Sequence, residues 1–284
     1  MIVEKIDLYA YFNKEKTQGA KGTLLCYLHS QYAEMGKEVS RPAMLVIPGG
    51  GYAFVSKREG EPIAEKFYAQ GYNTFILDYS IAPDFCYPTS HIEACMAMLY
   101  IRQNAEKLGV IKDKVVAIGF SAGGHLTGVL SLLSDRKEII NEFGENAKLT
   151  QPDASVYSYA VITSNVEHYH GGSFANLCAD KYNFDDFSLE KKVTKTSSPA
   201  FIWTTFDDGC VPAQNSLMLA NAYLTAGVPC ELHIYESGVH GLSTCGKDVS
   251  DNCMPQNLLD RVAGWQSSCF AFLRDKGFDI IWKE

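Results

Sequence analysis

The chain is short of positive charge. Its 284 residues carry 25 Lys and Arg against 33 Asp and Glu, a formal net charge of -8, and no basic run appears. Binding nucleic-acid phosphates draws on clustered lysine and arginine, so a polyanion is excluded as the main partner. The sequence also lacks an apolar stretch of the roughly 20 residues that cross a bilayer. Acids and a lysine break up Met1 to Ala10, where a secretion signal needs a continuous apolar region. No membrane partner is expected and the chain reads as cytoplasmic, although a signal already removed would fit the same residues. Cysteine is plentiful, yet no Cys-x-x-Cys pair occurs among the nine, which removes the common zinc and redox spacings. Most of the nine fall in apolar patterns and read as small buried hydrophobes in a reducing compartment. Cys245 and Cys253 share a polar loop and could approach each other, but the reducing setting favours free thiols. His168 and His170 form a His-x-His pair that no carboxylate or cysteine completes at the usual ligand spacings. No metal and no cofactor are expected, and repeats and low-complexity tracts are absent as well.

What is present is the balance of a globular protein, with 46% hydrophobic and 20% charged residues. A chain of this length can bury one sizeable core, so residues 1–284 are expected to form a single domain. Near the amino terminus, Ile6, Leu8, Ala10 and Phe12 alternate with polar neighbours, and Thr23 to Leu28 follows a glycine-rich break. Both read as antiparallel strands at a sheet edge. Short continuous apolar runs come next: Ala43–Ile47, Thr74–Leu77, Val115–Ile118, Val156–Ala160, Ala200–Trp203 and Cys230–Tyr235. Continuous runs suit parallel strands covered on both faces. Helical patterns separate them, over Glu61–Gln70, Thr89–Leu108, Ala122–Leu133, Ala213–Ala226 and Pro255–Lys276. Strand alternating with helix predicts an α/β fold with a mostly parallel, doubly wound sheet, whose reactive loops lie at the strands' carboxyl ends. The polar, aromatic-spotted segment 163–198 interrupts that rhythm and reads as a small cap or insertion beside the cleft.

The segment Gly119-Phe120-Ser121-Ala122-Gly123 sits between an apolar run and a helical pattern. This is the strand-to-helix setting of a nucleophile elbow, in which the serine projects from a turn too tight for side chains at its neighbours. A serine hydroxyl needs a base, and the base needs an orienting acid. His240 follows the last predicted strand in a glycine-flanked loop, whereas His29 and His91 precede the elbow, His233 is mid-strand and His125 reads as a packing residue on the elbow helix. The acid is Asp207 or Asp208, both just past the strand Ala200–Trp203. Asp208 is favoured because Asp208-Gly209-Cys210-Val211-Pro212 resembles the Asp-x-x-Val-Pro turn that leads to the following helix in many α/β-hydrolases. Oxyanion donors are expected from the backbone of Gly50 and Gly51, in the loop Pro48-Gly49-Gly50-Gly51-Tyr52, and from Ala122. Each such donor contributes on the order of 3 kcal/mol. No Gly-Lys-Ser/Thr follows the glycines, which weakens a phosphate-cradle reading.

Taken together, these segments resemble the α/β-hydrolase superfamily. Ile47 to Tyr52, Gly119 to Leu126, Val211 to Leu217 and Gly227 to His233 resemble its carbohydrate acetyl-esterase and acetyl-xylan-esterase-like branch. The resemblance implies Ser121, Asp208 and His240 as the catalytic triad of a serine carboxylesterase. It also implies a small-molecule ester as substrate, an acetylated sugar such as a xylo-oligosaccharide. Two departures stand out: Pro48 where lipase relatives carry histidine, and Ser80 where relatives often carry arginine. An aryl formamidase shares the fold and the glycine loop. A prolyl-oligopeptidase-like peptidase would need a large amino-terminal propeller for which there is no room. A non-catalytic binding protein should have lost a triad member, and none is missing. The physiological ester and the alcohol moiety stay open, and the sequence leaves room for a homo-oligomer.

Overall fold

A computed structural model describes residues 1–250 and 253–283. In chain order the main elements are β1 (Ile2–Asp7), α1 (Leu8–Tyr11), β2 (Thr23–Leu28), β3 (Val39–Ile47), α2 (Glu61–Ala69), β4 (Asn73–Asp78), α3 (Thr89–Gln103), β5 (Val110–Phe120) and α4 (Ala122–Leu132). There follow α5 (Lys137–Phe143), β6 (Ala154–Ser158), α6 (Gly171–Cys178), β7 (Ala200–Thr205), α7 (Gln214–Ala226), β8 (Cys230–Tyr235), α8 (Lys247–Ser250), α9 (Gln256–Asp275) and β9 (Ile281–Trp282). The described residues form a nine-stranded sheet in the order β1-β2-β4-β3-β5-β6-β7-β8, with the short β9 beside β3. β1 and β2 run antiparallel at one edge, and β4, β3, β5, β6, β7 and β8 are mutually parallel. No helix among the described residues is long and apolar enough to cross a membrane.

The continuous apolar strands are explained by burial on both faces. Along β5, Val115 and Ala117 join the cluster that holds Met96 and Ile101 of α3 and Leu126 and Leu130 of α4. Their alternate neighbours Val116 and Ile118 pack on the other face with Phe67 of α2 and Val262 and Trp265 of α9. A two-residue period thus feeds two cores. Such a strand shows no polar alternation because neither face meets water.

Two local readings are corrected. The alternation through Phe12 does not continue as strand: β1 stops at Asp7, whose carboxylate accepts the Ala10 N–H at 3.2 Å and caps α1. That cap, with Leu8 and Tyr9 buried beneath it, outweighs the pattern. Helix α3 ends at Gln103, short of Leu108, where Asn104 folds its side-chain amide back onto the Tyr100 carbonyl at 2.8 Å. Cys245 is buried, Cys253 is exposed and both are free thiols. The serine at position 80 has a partner as well. Its hydroxyl and backbone N–H both donate to the buried carboxylate of Glu93, at 2.5 and 2.6 Å.

The strand order reverses around β3, since β4 lies on one side of it and β5 on the other. At such a switch point the loops leaving the two neighbouring strands diverge and open a crevice. The loops after β3 and β5 carry the glycine run and Ser121.

Candidate active site

Ser121 follows β5 directly and precedes α4, with φ 53° and ψ -121°. A non-glycine residue held there costs on the order of 1–3 kcal/mol. The conformation is held by its backbone, whose N–H donates to Ser158 O at 3.0 Å while its carbonyl accepts from His125 and Val161. The flanking glycines answer to space: a Cβ on Gly119 would lie 2.2 Å from Gly123 O, and one on Gly123 2.2 Å from Ile47 O. Neither contact is physically possible.

The loops after β7 and β8 bring two more side chains to this turn. His240 places Nε2 2.8 Å from Ser121 Oγ and Nδ1 2.7 Å from Asp208 Oδ2. The carboxylate assigns the ring proton to Nδ1, so Nε2 presents its lone pair to the serine hydroxyl. The Asp208 side chain is fully buried, and its other oxygen accepts the N–H groups of Cys210 and Val211, each at 2.9 Å. Asp207 points elsewhere and accepts the Gly238 N–H at 2.6 Å. It ties the two loops together without touching His240.

Across the crevice, Gly50 (φ +123°) and Gly51 (φ +63°) turn the loop after β3. The N–H groups of Gly50, Gly51 and Ala122 donate to no protein acceptor among the described residues. Unused amides beside the Ser121 hydroxyl, which lines the cleft, suit an anionic oxygen. What supports this loop in place of the relatives' histidine is a carboxylate. Glu59, buried, accepts the Gly49 N–H at 2.9 Å through Oε2 and the Tyr159 hydroxyl at 2.7 Å through Oε1. Tyr79 donates to the Pro48 carbonyl at 2.8 Å, and Asn176 of α6 donates to the Gly51 carbonyl at 2.8 Å. The Tyr159 ring, itself at φ 37°, packs edge-on against His240 with centroids 5.0 Å apart.

The cleft has a volume of about 410 Å³, and its walls include Ser121, His240, Gly50, Phe54, Arg58 and His170. Larger hollows, of about 720 and 750 Å³, share Lys148 and Gln151 in their walls, away from Ser121. Size does not locate the chemistry here. Of the aromatics in the neighbouring loops, Phe54 faces the cleft and is 60% exposed, whereas Tyr52 and Tyr87 belong to the core at 2% each. Tyr52 bonds His125 Nδ1 at 2.9 Å, and His125 Nε2 lies 2.9 Å from the Phe187 carbonyl. Burial lowers the His125 pKa to about 4, so the ring stays neutral. Segment 163–198 supplies α6, and through it His170 and Asn176. Glu59, Tyr79, Tyr159, His170 and Asn176 belong to no short motif. Their roles follow from approach in space.

Comparison with known proteins shows the family to which the chain belongs. The BD-FAE family model matches residues 31–223. Endo-1,4-beta-xylanase B of Butyrivibrio fibrisolvens is 34% identical over 84% of this chain and 37% of its own length. Acetylxylan esterase of Xylanibacter ruminicola is 27% identical over 81% of this chain and 45% of its own. The chain therefore spans less than half the length of these two relatives. Among solved structures, an acetyl ester-xyloside bifunctional hydrolase from Caldicellulosiruptor lactoaceticus aligns with a TM-score of 0.76 at 30% identity, covering 90% of this chain and 89% of that one. The α/β-hydrolase MGS-M1, from a Medee basin deep-sea metagenome library, gives 0.76 at 32% identity over 97% of both chains. The carboxylesterase Cest-2923 from Lactobacillus plantarum WCFS1 gives 0.82 at 25% identity, covering 98% of this chain and 99% of that one. The chain belongs to the BD-FAE family, within the acetyl-esterase branch of the α/β-hydrolases.

Proposed function

We propose that residues 1–284 act as one catalytic unit, a serine carboxylesterase that removes short acyl groups, chiefly acetyl, from sugars such as xylo-oligosaccharides. The observation that carries the reading is the hydrogen-bonded chain from Ser121 Oγ through His240 to Asp208, facing three unused backbone amides. In the proposed cycle His240 Nε2 takes the Ser121 proton as Oγ adds to the ester carbonyl carbon. The negative charge that forms on the carbonyl oxygen is met by the N–H groups of Gly50, Gly51 and Ala122. The alcohol leaves with the proton held on His240, and an acyl-serine remains. His240 then takes a proton from water, hydroxide adds to the acyl carbon, and Ser121 departs with that proton as the acid is released. Asp208 stays ionised throughout and stabilises the transient imidazolium. Two relatives whose names carry acetyl-ester activity, an acetylxylan esterase and an acetyl ester-xyloside hydrolase, support acetylated xylosides as the substrate class. The free thiols support a reducing, cytoplasmic setting.

The test is a panel run on one purified sample: acetylated sugars, p-nitrophenyl esters of increasing chain length, and an aryl formamide. Acetyl esters should exceed octanoyl esters in kcat/KM by at least about tenfold, since overfilling a small pocket costs on the order of 1–3 kcal/mol. Faster octanoyl hydrolysis, or an aryl formamide that outruns every acetylated sugar, would replace the deacetylase reading with another hydrolase activity.

Glu59 gives a second check. Glu59→Ala strands the Gly49 N–H and the Tyr159 hydroxyl, and each buried unpaired donor costs about 1–3 kcal/mol. With its anchor gone, the glycine loop should misplace the oxyanion amides, so kcat should fall at least about tenfold with KM little changed. Glu59→Gln still offers an oxygen to Gly49 and should keep most of the activity. Steady-state kinetics on p-nitrophenyl acetate decide it, and equal rates in all three proteins would mean that the loop needs no such support.

A further inference from the structure

His170 caps α6 at the edge of segment 163–198, and its ring lines the same cleft as Ser121 and His240. Its Nδ1 accepts the backbone N–H of Ser173 at 3.2 Å and lies 2.8 Å from Ser173 Oγ. An amide N–H can only donate, so Nδ1 must present a lone pair and the neutral ring carries its proton on Nε2. Partial burial, and then the nearby His240, hold the ring below its ordinary pKa, against a smaller opposing pull from Asp208. Nε2 has no protein partner among the described residues. Further along α6, Asn176 also lines the cleft. Its Nδ2 donates to the Gly51 carbonyl at 2.8 Å, which leaves Oδ1 as an acceptor with no partner among the described residues. The cleft therefore holds one donor and one acceptor that neither the Ser121–His240–Asp208 chain nor the oxyanion amides use.

We infer that His170 Nε2–H and Asn176 Oδ1 together bind a free hydroxyl on the alcohol moiety of the substrate, making the site selective for acyl groups that sit beside an unmodified hydroxyl. The inference rests on the deacetylase reading and narrows it to partly acetylated sugars. A hydroxyl both accepts and donates, so it satisfies both groups at once. A methyl ether or a second ester at the same place can accept from His170 but has nothing to give Asn176. Sites built to bond a hydroxyl reject the analogue lacking it far more strongly than apolar pockets sort substrates by one methylene.

The variant that separates recognition from structure is His170→Asn. Asparagine is a good helix cap and keeps an oxygen for the Ser173 N–H, while the donor that reaches the cleft is withdrawn. Wild type and H170N are compared on three substrates: a sugar acetate with a free hydroxyl beside the acetyl group, the same compound with that hydroxyl methylated, and p-nitrophenyl acetate. Wild type should prefer the free hydroxyl over its methyl ether by at least about tenfold in kcat/KM. H170N should lose about that factor on the first substrate, mainly through KM, and stay within about twofold of wild type on the other two. Equal losses on all three would make His170 a structural residue and overturn the inference. So would a wild type indifferent to methylation, a comparison that needs no variant and holds even if H170N fails to fold. A wild type that cleaves p-nitrophenyl acetate but neither sugar acetate would instead overturn the deacetylase reading, and the inference with it.

Discussion

Ser121→Ala should leave the fold intact and lower ester turnover by about 10⁶-fold, the scale of loss when the nucleophile of a working triad is removed. The fold should survive because the turn is held by backbone groups, the bonds from Ser121 N–H to Ser158 and from Val161 to Ser121 O, and alanine keeps all of them. A serine-directed phosphonate should label Ser121 in the wild type and nothing in the variant. The same residue carries a stability consequence. At φ 53° the backbone of this non-glycine residue is strained, so Ser121→Gly should be inactive yet more stable, by about 1 kcal/mol in urea unfolding. An alanine variant that retained a tenth of wild-type turnover would move the reaction to another group.

Asp208→Asn should lower turnover by roughly 10⁴-fold, because an amide at this position no longer fixes the proton on Nδ1 of His240 and the ring can present the wrong nitrogen to Ser121. Its neighbour makes the control. Asp207→Asn still offers an oxygen to the Gly238 N–H, the contact that Asp207 makes, and should cost less than about tenfold on the scale of a single neutral hydrogen bond. Both variants are isosteric, so melting temperatures close to wild type accompany the expected result. The reverse ranking would place the acid one residue upstream, and small equal losses would remove it from this loop.

Much of the site was legible in the chain because its chemistry is tied to local backbone geometry. The elbow turn needs small residues at 119 and 123 whatever surrounds it, and the loops carrying Asp208 and His240 follow directly on apolar strand runs. Sequence leaves Asp207 and Asp208 equivalent except for the turn that follows. In the structure they part because the loop sends one carboxylate to His240 and the other to the Gly238 backbone. The aromatics after the glycine loop were not legible: Tyr52 and Phe54 lie two residues apart, yet one is core and the other faces the cleft. A loop has no fixed period from which to read its inward side.

The sequence by itself determined the sheet and the candidate nucleophile, since a continuous apolar run without polar alternation means burial on both faces, and a tight turn at a strand's carboxyl end projects its serine toward the cleft. It also marked the two departures, Pro48 and Ser80, without saying what takes their place. Only the tertiary structure decided that. Glu59 lies ten residues from the Gly49 amide that it accepts and 100 from the Tyr159 hydroxyl, and Glu93 lies 13 from Ser80. His170 and Asn176 reach the cleft only because segment 163–198 folds back over the strand ends. Contacts of this kind depend on how the chain closes on itself, and a buried carboxylate or a capping imidazole looks the same in sequence wherever its partner stands.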